Sequence, residues 1–127
     1  MLILLVEDNP LMQQVLHHFL SSQGYTIIVA NSAHDALGLA RSQQCDLLLI
    51  DLLLSDQDGT GLLHILRALP GYQDCPAVAM SGMGEEQRLW SQQAGFSDYL
   101  AKPINLDELL DVVQRHRNGG LEKVLRA

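Results

Sequence analysis

The chain has 127 residues, which at about 100–200 residues per domain predicts one domain with no room for a second self-folding module. Hydrophobic residues make up 47% and charged residues 18%, the balance of a globular protein that buries about two-thirds of its unfolded surface without disulfide or metal staples. With 8 Lys and Arg against 15 Asp and Glu, the formal charge is -7, which repels a phosphate backbone and argues against direct nucleic-acid binding.

The apolar run Leu2 to Val6 is short, continuous and followed at once by Glu7-Asp8-Asn9-Pro10. It predicts a strand buried on both faces, then a helix capped by Asn9 with Pro10 at its first position. Leu11, Met12, Val15, Leu16, Phe19 and Leu20 recur at helical spacing as the inward face, and Gly24 supplies the left-handed residue past the helix end. Thr26 to Ala30 predicts a second strand, and Ser32 with Asp35 opens a helix with Ala36, Leu37 and Ala40 inward. Leu47 to Ile50 predicts a third strand ending at Asp51. The following loop leads to Gly59 and a helix carrying Leu62, Leu63, Leu66 and Leu69, stopped by Pro70-Gly71.

Ala77 to Met80 predicts a fourth strand ending at Ser81-Gly82, followed by a polar helix around Glu85 to Ala94 whose large apolar residues are Leu89 and Trp90. Trp90 either packs inward beside Leu89 or joins an exposed partner surface; the spacing allows both. Asp98 to Leu100 predicts a fifth strand ending at Lys102-Pro103, and Asn105 with Glu108 opens a last helix burying Leu106, Leu109, Leu110 and Val113. Asn118-Gly119-Gly120 reads as a break. Residues 1–118 then form the domain, and 119–127 are a short C-terminal tail: a helical extension, a linker remnant or a disordered segment.

Short apolar strands alternating with amphipathic helices imply an α/β fold, with a parallel sheet covered on both faces by right-handed crossovers. Cys45 and Cys75 stand in no metal-binding or CxxC spacing and read as buried reduced thiols. His17, His18, His34, His64 and His116 form no ligand spacing and read as surface residues. The longest apolar stretches are too short to cross a bilayer, and no basic segment precedes a signal-like core. A cytoplasmic location without membrane contact is therefore expected.

In an open parallel sheet, ligands bind beyond the carboxyl ends of the strands, where strand order reverses. Those ends carry Glu7 and Asp8, then Asp51, Ser81 and Lys102. Three carboxylates without His or Cys suit Mg2+, a hard cation that takes oxygen ligands and keeps several waters. Lys102 adds a positive charge and Ser81 a hydrogen-bond donor for an anion, and the anion that matches Mg2+ and lysine together is a phosphoryl group.

This set of Glu7-Asp8, Asp51, Asp58-Gly59, Ser81 and Lys102-Pro103 resembles the receiver domain of two-component response regulators, over residues 2–117. The resemblance implies a flavodoxin-like receiver fold: a single doubly wound five-stranded parallel sheet in the order 2-1-3-4-5 with five helices. It implies Asp51 as phosphoacceptor, and Glu7, Asp8, Asp51 and the backbone carbonyl of Leu53 as Mg2+ ligands. It also implies Lys102 as a bridge between carboxylate and phosphate, and Ser81 as the hydrogen-bond donor to the phosphoryl oxygen. Tyr99, three residues before Lys102, matches the aromatic switch position that works with Ser81.

The implied function is a phosphoacceptor signalling domain, not an enzyme. It takes a phosphoryl group from a histidine kinase or histidine phosphotransfer protein onto Asp51, in a Mg2+-dependent self-catalysed reaction. It then switches the surface of its fourth helix, fifth strand and fifth helix toward a downstream protein partner or a missing output domain, or into a phosphorylation-dependent homodimer. Where the family loop reads D-x-x-M-P-x-x-D-G, this chain has Leu54 and Ser55 in place of Met and Pro. Leu53 and Met83 occupy the positions that flank the hydrolytic water; both are apolar, so dephosphorylation is expected to be slow.

The rival reading is a phosphorylation-independent receiver-like protein interaction module. Loss of the phosphoacceptor, the lysine or the acidic pair would favour it, and all are present. A phosphatase with an aspartyl-phosphate intermediate needs an acid two residues past the nucleophile, where Leu53 stands. A flavin-binding domain needs a phosphate loop after the first strand, where Glu7 and Asp8 repel phosphate.

Overall fold

The five apolar runs become β1 (Leu2–Val6), β2 (Thr26–Ala30), β3 (Leu47–Asp51), β4 (Ala77–Ser81) and β5 (Asp98–Ala101). All neighbouring strands pair in parallel, in the order β2-β1-β3-β4-β5. The helices α1 (Pro10–Ser22), α2 (Ala33–Ser42), α3 (Gly59–Arg67), α4 (Glu85–Gln93) and α5 (Leu106–Arg126) connect and follow them. This is a computed structural model that describes residues 1–82 and 84–126, with side chains to Arg117. Met83, placed by the sequence beside the hydrolytic water, lies outside the described residues. No described helix is long and apolar enough to cross a membrane.

Residues alternate across the sheet, and each face has its own core. Leu4, Val6, Leu48, Ile50, Ala77 and Ala79 pack with Ala36 and Ala40 of α2 and with Leu62, Leu63 and Leu66 of α3. Ile3, Leu5, Leu47, Leu49, Val78 and Met80 pack with Leu16 and Leu20 of α1 and with Leu109, Val112 and Val113 of α5. Burial on both faces is why β1 and β3 read as unbroken apolar runs rather than alternating ones.

Local signals set the helix starts. Asn9 Oδ1 accepts from the Leu11 and Met12 amides at 3.0 and 3.1 Å, Ser32 Oγ from Asp35 at 3.1 Å, and Asn105 Oδ1 from Glu108 at 3.0 Å. Each side chain satisfies amides that have no partner within the helix. Gly24, past the end of α1, takes φ 92°, a conformation that favours glycine. Cys45 and Cys75 are free and buried, as expected.

Several expectations about helix faces are corrected. Leu11 is 68% and Val15 41% exposed, because α1 meets the sheet along a narrow stripe centred on Leu16 and Leu20. On α4 the buried residue is Ser91, while Leu89 and Trp90 are 58% and 44% exposed, so Trp90 takes the outward alternative. His116 is half-buried and not a surface residue: its Nε2 stands 2.6 Å from Asp98 Oδ2, tying α5 to β5. The backbone of α5 continues through Asn118-Gly119-Gly120 to Arg126 instead of breaking there. Two glycines each cost about 1 kcal/mol of helix propensity relative to Ala, which weakens a helix without forbidding it.

Candidate functional site

The chain passes from β1 to β2 on one side and returns to β3 on the other, so the order reverses between β1 and β3. Because Val6 pairs with Ile50, the residues that follow, Glu7, Asp8 and Asp51, emerge side by side. One oxygen from each of the three lies within 4.8 Å of the other two. Glu7 is fully buried and Asp51 is 4% exposed, so two of these carboxylates have little water to solvate them.

Lys102 arrives from the far side of the sheet. Its amide donates to the Ser81 carbonyl at 2.9 Å, continuing the β4–β5 ladder past Ala101. The Lys102 Nζ then reaches Asp51 Oδ2 at 2.9 Å and Glu7 Oε1 and Oε2 at 3.2 and 3.3 Å. The ammonium thus bridges two buried carboxylates. Asp51 Oδ1 accepts the Leu53 amide at 2.9 Å, and Asp8 Oδ2 accepts the Ser55 amide at 3.1 Å. Burial depresses the Lys102 pKa, but the bonds and charges of Asp51 and Glu7 outweigh it and leave the lysine raised.

Ser81 is 1% exposed at the end of β4. Tyr99 is 8% exposed with its ring turned in, its hydroxyl donating to the Ser81 and Gly84 carbonyls at 3.3 and 3.4 Å. The Arg88 guanidinium covers that ring at 4.9 Å from its centroid. Leu53 is 60% exposed beside Asp51. Two supports went unread in the sequence. Gln13 Nε2 donates to the Glu7 carbonyl at 2.5 Å and to Asn31 Oδ1 at 2.7 Å, and Asp56 binds the start of α2. Gln13 stands between Met12 and Gln14 and Asp56 between Ser55 and Gln57, and only the tertiary fold singles them out.

The donor set fits a hard divalent cation. Three carboxylates face a single ammonium, and burial, reinforced by Asp51, pushes Glu7 up to about 7. A carboxylate made this basic by burial that its ammonium partner only partly offsets gains most from a cation that takes oxygen ligands. A Glu7 carboxylate that ligates must first lose its proton, so Mg2+ affinity of this cluster should rise as pH goes from about 6 to about 8, by at most about tenfold per unit. Calorimetric titration at several pH values checks this; Glu7→Gln should flatten the dependence, and a flat wild-type profile would contradict it. Without metal the effect on folding has the opposite sense. The stability linked to Glu7 is present below its ordinary value of 4.5 and is lost as pH rises through about 7.

A family model for the response regulator receiver domain matches residues 3–114. An uncharacterized 14.6 kDa protein of Leptolyngbya boryana is 35% identical over 115 residues, covering 90% of this chain and 88% of that protein. The signal transduction histidine-protein kinase BarA of Escherichia coli is 30% identical over 122 residues; the match covers 94% of this chain but 13% of BarA. Among solved structures, the receiver domain of sensor histidine kinase PA1611 from Pseudomonas aeruginosa, described with a magnesium ion coordinated in its active site cleft, superposes with TM-score 0.83. It is 35% identical, with 90% of this chain and 94% of that one covered.

Proposed function

The chain belongs to the response regulator receiver domain family, and on that premise we propose that it is a phosphoacceptor signalling domain that takes a phosphoryl group onto Asp51. The observation that carries this reading is the Lys102 ammonium, 2.9 Å from Asp51 Oδ2 and 3.2 Å from Glu7 Oε1 inside the acid cluster. Phosphoryl transfer asks chiefly for in-line positioning and neutralised charge, because little covalent chemistry falls to the protein.

Glu7, Asp8, Asp51 and the Leu53 carbonyl are the proposed holders of Mg2+, which supplies charge neutralisation and orientation to the phosphoryl oxygens. The Leu53 amide fixes one Asp51 oxygen at 2.9 Å and Lys102 the other at 2.9 Å, so the carboxylate presents a set direction to an incoming phosphorus. A new O–P bond forms at Asp51 as the donor's P–N bond breaks, its electron pair leaving with the donor imidazole. Lys102 stays beside the transferred group and stabilises its charge. The product adds about two negative charges at the end of β3, and the Ser81 hydroxyl is the proposed hydrogen-bond donor to it. Ser81 and Tyr99 then bias the α4–β5–α5 surface between two states.

The donor is a histidine kinase or histidine phosphotransfer protein. The reader is a downstream protein or an output domain, or a second copy of the chain in a phosphorylation-dependent homodimer. The setting is the cytoplasm, without direct nucleic-acid or membrane contact by this domain. The test is the intact mass of the protein after incubation with an acyl phosphate, with and without Mg2+. A Mg2+-dependent gain of one phosphoryl group, absent in Asp51→Asn, is expected. No gain from the acyl phosphate or from a phosphohistidine donor would overturn the reading in favour of an interaction module that signals by binding alone.

A long-lived phosphoryl group is expected on the same reading. Leu53, 60% exposed next to Asp51, offers no group to orient water. Leu53→Asn, with Met83→Glu, should shorten the lifetime by about tenfold or more. Decay followed by mass spectrometry checks it; an unchanged half-life would show that these side chains do not limit hydrolysis.

A further inference from the structure

The loop between β3 and α3 lacks the Met-Pro pair of the family pattern, yet it is fastened at four points. The Leu53 amide donates to Asp51 Oδ1 at 2.9 Å and the Ser55 amide to Asp8 Oδ2 at 3.1 Å. The Gly59 amide returns to the Leu52 carbonyl at 2.9 Å. The fourth fastening crosses to another element: Asp56 Oδ1 accepts the Ala33 amide and Oδ2 the His34 amide, each at 3.1 Å. Ser32 Oγ takes the next amide of α2, Asp35, at 3.1 Å. The free donors of the first turn of α2 are therefore shared between its own cap and a carboxylate 22–23 residues away. Those two amide bonds hold the Asp56 carboxyl below the usual carboxylate range, consistent with a negative charge at a helix N-terminus.

We infer that Asp56 is a positioning residue for the acid cluster: by fastening the loop to α2 it keeps the Leu53 peptide against Asp51 and the Ser55 amide against Asp8, and so sets the affinity of the cluster for a divalent cation. The inference rests on the reading of Asp8, Asp51 and the Leu53 carbonyl as Mg2+ ligands. Its physical basis is that the loop touches the cluster through backbone amides, which orient carboxylate oxygens only while the loop itself is held. Partners that orient ligands without touching the metal commonly change affinity by about 10–100-fold.

The experiment is calorimetric titration of the whole chain with Mg2+, in the wild type, Asp56→Ala, Asp56→Asn and Ser32→Ala. Amide hydrogen exchange of the metal-free proteins and thermal unfolding accompany it. Asp56→Ala should weaken Mg2+ binding about tenfold or more. It should also speed exchange at Leu53 and Ser55 as well as at Ala33 and His34. Asp56→Asn keeps one acceptor and should fall between. Ser32→Ala removes the neighbouring cap of the same helix without touching the loop and should bind Mg2+ within about twofold of wild type.

Wild-type affinity in Asp56→Ala, or equal weakening in Ser32→Ala, would overturn the inference and leave Asp56 a plain helix cap. No Mg2+ binding by the wild type would overturn the metal site and this inference together. Failure of phosphoryl transfer alone would leave the affinity comparison standing.

Discussion

Lys102→Ala should lower the rate of phosphorylation by an acyl phosphate about 100-fold or more while leaving the protein folded. Truncating one partner of a buried ion pair ordinarily costs about 3–5 kcal/mol, because the other charge is stranded. Here one of the two stranded carboxylates has an escape. Glu7 is already raised to about 7 against the opposing pull of Lys102; without the ammonium it rises further and takes a proton at neutral pH. Stability is therefore spared part of the loss, whereas the transferred phosphoryl group, on the proposed reading, keeps Mg2+ but loses the ammonium beside it. Lys102→Arg should not restore the rate in full, since a planar guanidinium does not occupy the point position of an ammonium 2.9 Å from Asp51 Oδ2 and 3.2 Å from Glu7 Oε1. Rapid-quench intact-mass kinetics beside thermal unfolding separates the two effects. A rate within about threefold of wild type would show that Lys102 takes no part in transfer.

Gly59→Ala should destabilise the fold strongly for the addition of one methyl group. A Cβ there would stand 2.6 Å from the Asp51 carbonyl oxygen and 3.0 Å from both Ile50 Cγ2 and Leu52 Cα. The two closest backbone atoms belong to the strand end that carries Asp51 and cannot swing away as a side chain does. Helix α3 must then lift from β3, stretching the Gly59 amide bond to the Leu52 carbonyl, now 2.9 Å. The expected loss is about 1–3 kcal/mol, a fall in Tm on the order of 5–10 °C for a domain of this size, with slower phosphoryl transfer because Asp51 moves with its carbonyl. Gly38→Ala is the matched control. It lies within α2 with nothing within 4 Å of a new Cβ, and should stabilise by about 0.5–1 kcal/mol through helix propensity. Scanning calorimetry of both variants decides the matter, and a Gly59→Ala protein as stable as wild type would refute the close-approach argument.

The sequence by itself determined the strands, their order of appearance and the residues at their carboxyl ends. A strand buried on both faces must be a continuous apolar run, and a run such as Leu2 to Val6 stops where a carboxylate or hydroxyl has to meet solvent or a ligand. Helix starts were legible for a similarly local reason: Asn9, Ser32 and Asn105 each cap an amide two or three residues on, so the signal and its effect share one short stretch of chain. The resemblance in Glu7-Asp8, Asp51, Ser81 and Lys102 worked because those positions are strand ends. The parallel sheet carries strand ends to one rim whatever the helices do, and the family match over residues 3–114 agrees with it.

Tertiary structure alone decided what depends on partners far along the chain. Helical spacing gives a stripe but not its width, so Leu11 and Val15 of α1 stay exposed beside the stripe that Leu16 and Leu20 bury. On α4 just one buried residue, Ser91, docks the helix, Trp90 faces out, and Arg88 lies over the Tyr99 ring. His116 read as a surface residue until β5 brought Asp98 to 2.6 Å from its ring. Asp56 carried no signal in the sequence, and only the tertiary fold sets it against the amides of α2. Lys102 and Glu7 stand 95 residues apart in sequence, and the pKa of Glu7 depends on that meeting and on burial, neither of which a local pattern records. Local hydrogen bonds and apolar periodicity are written in neighbouring residues; charge pairing and desolvation exist only once the sheet has closed.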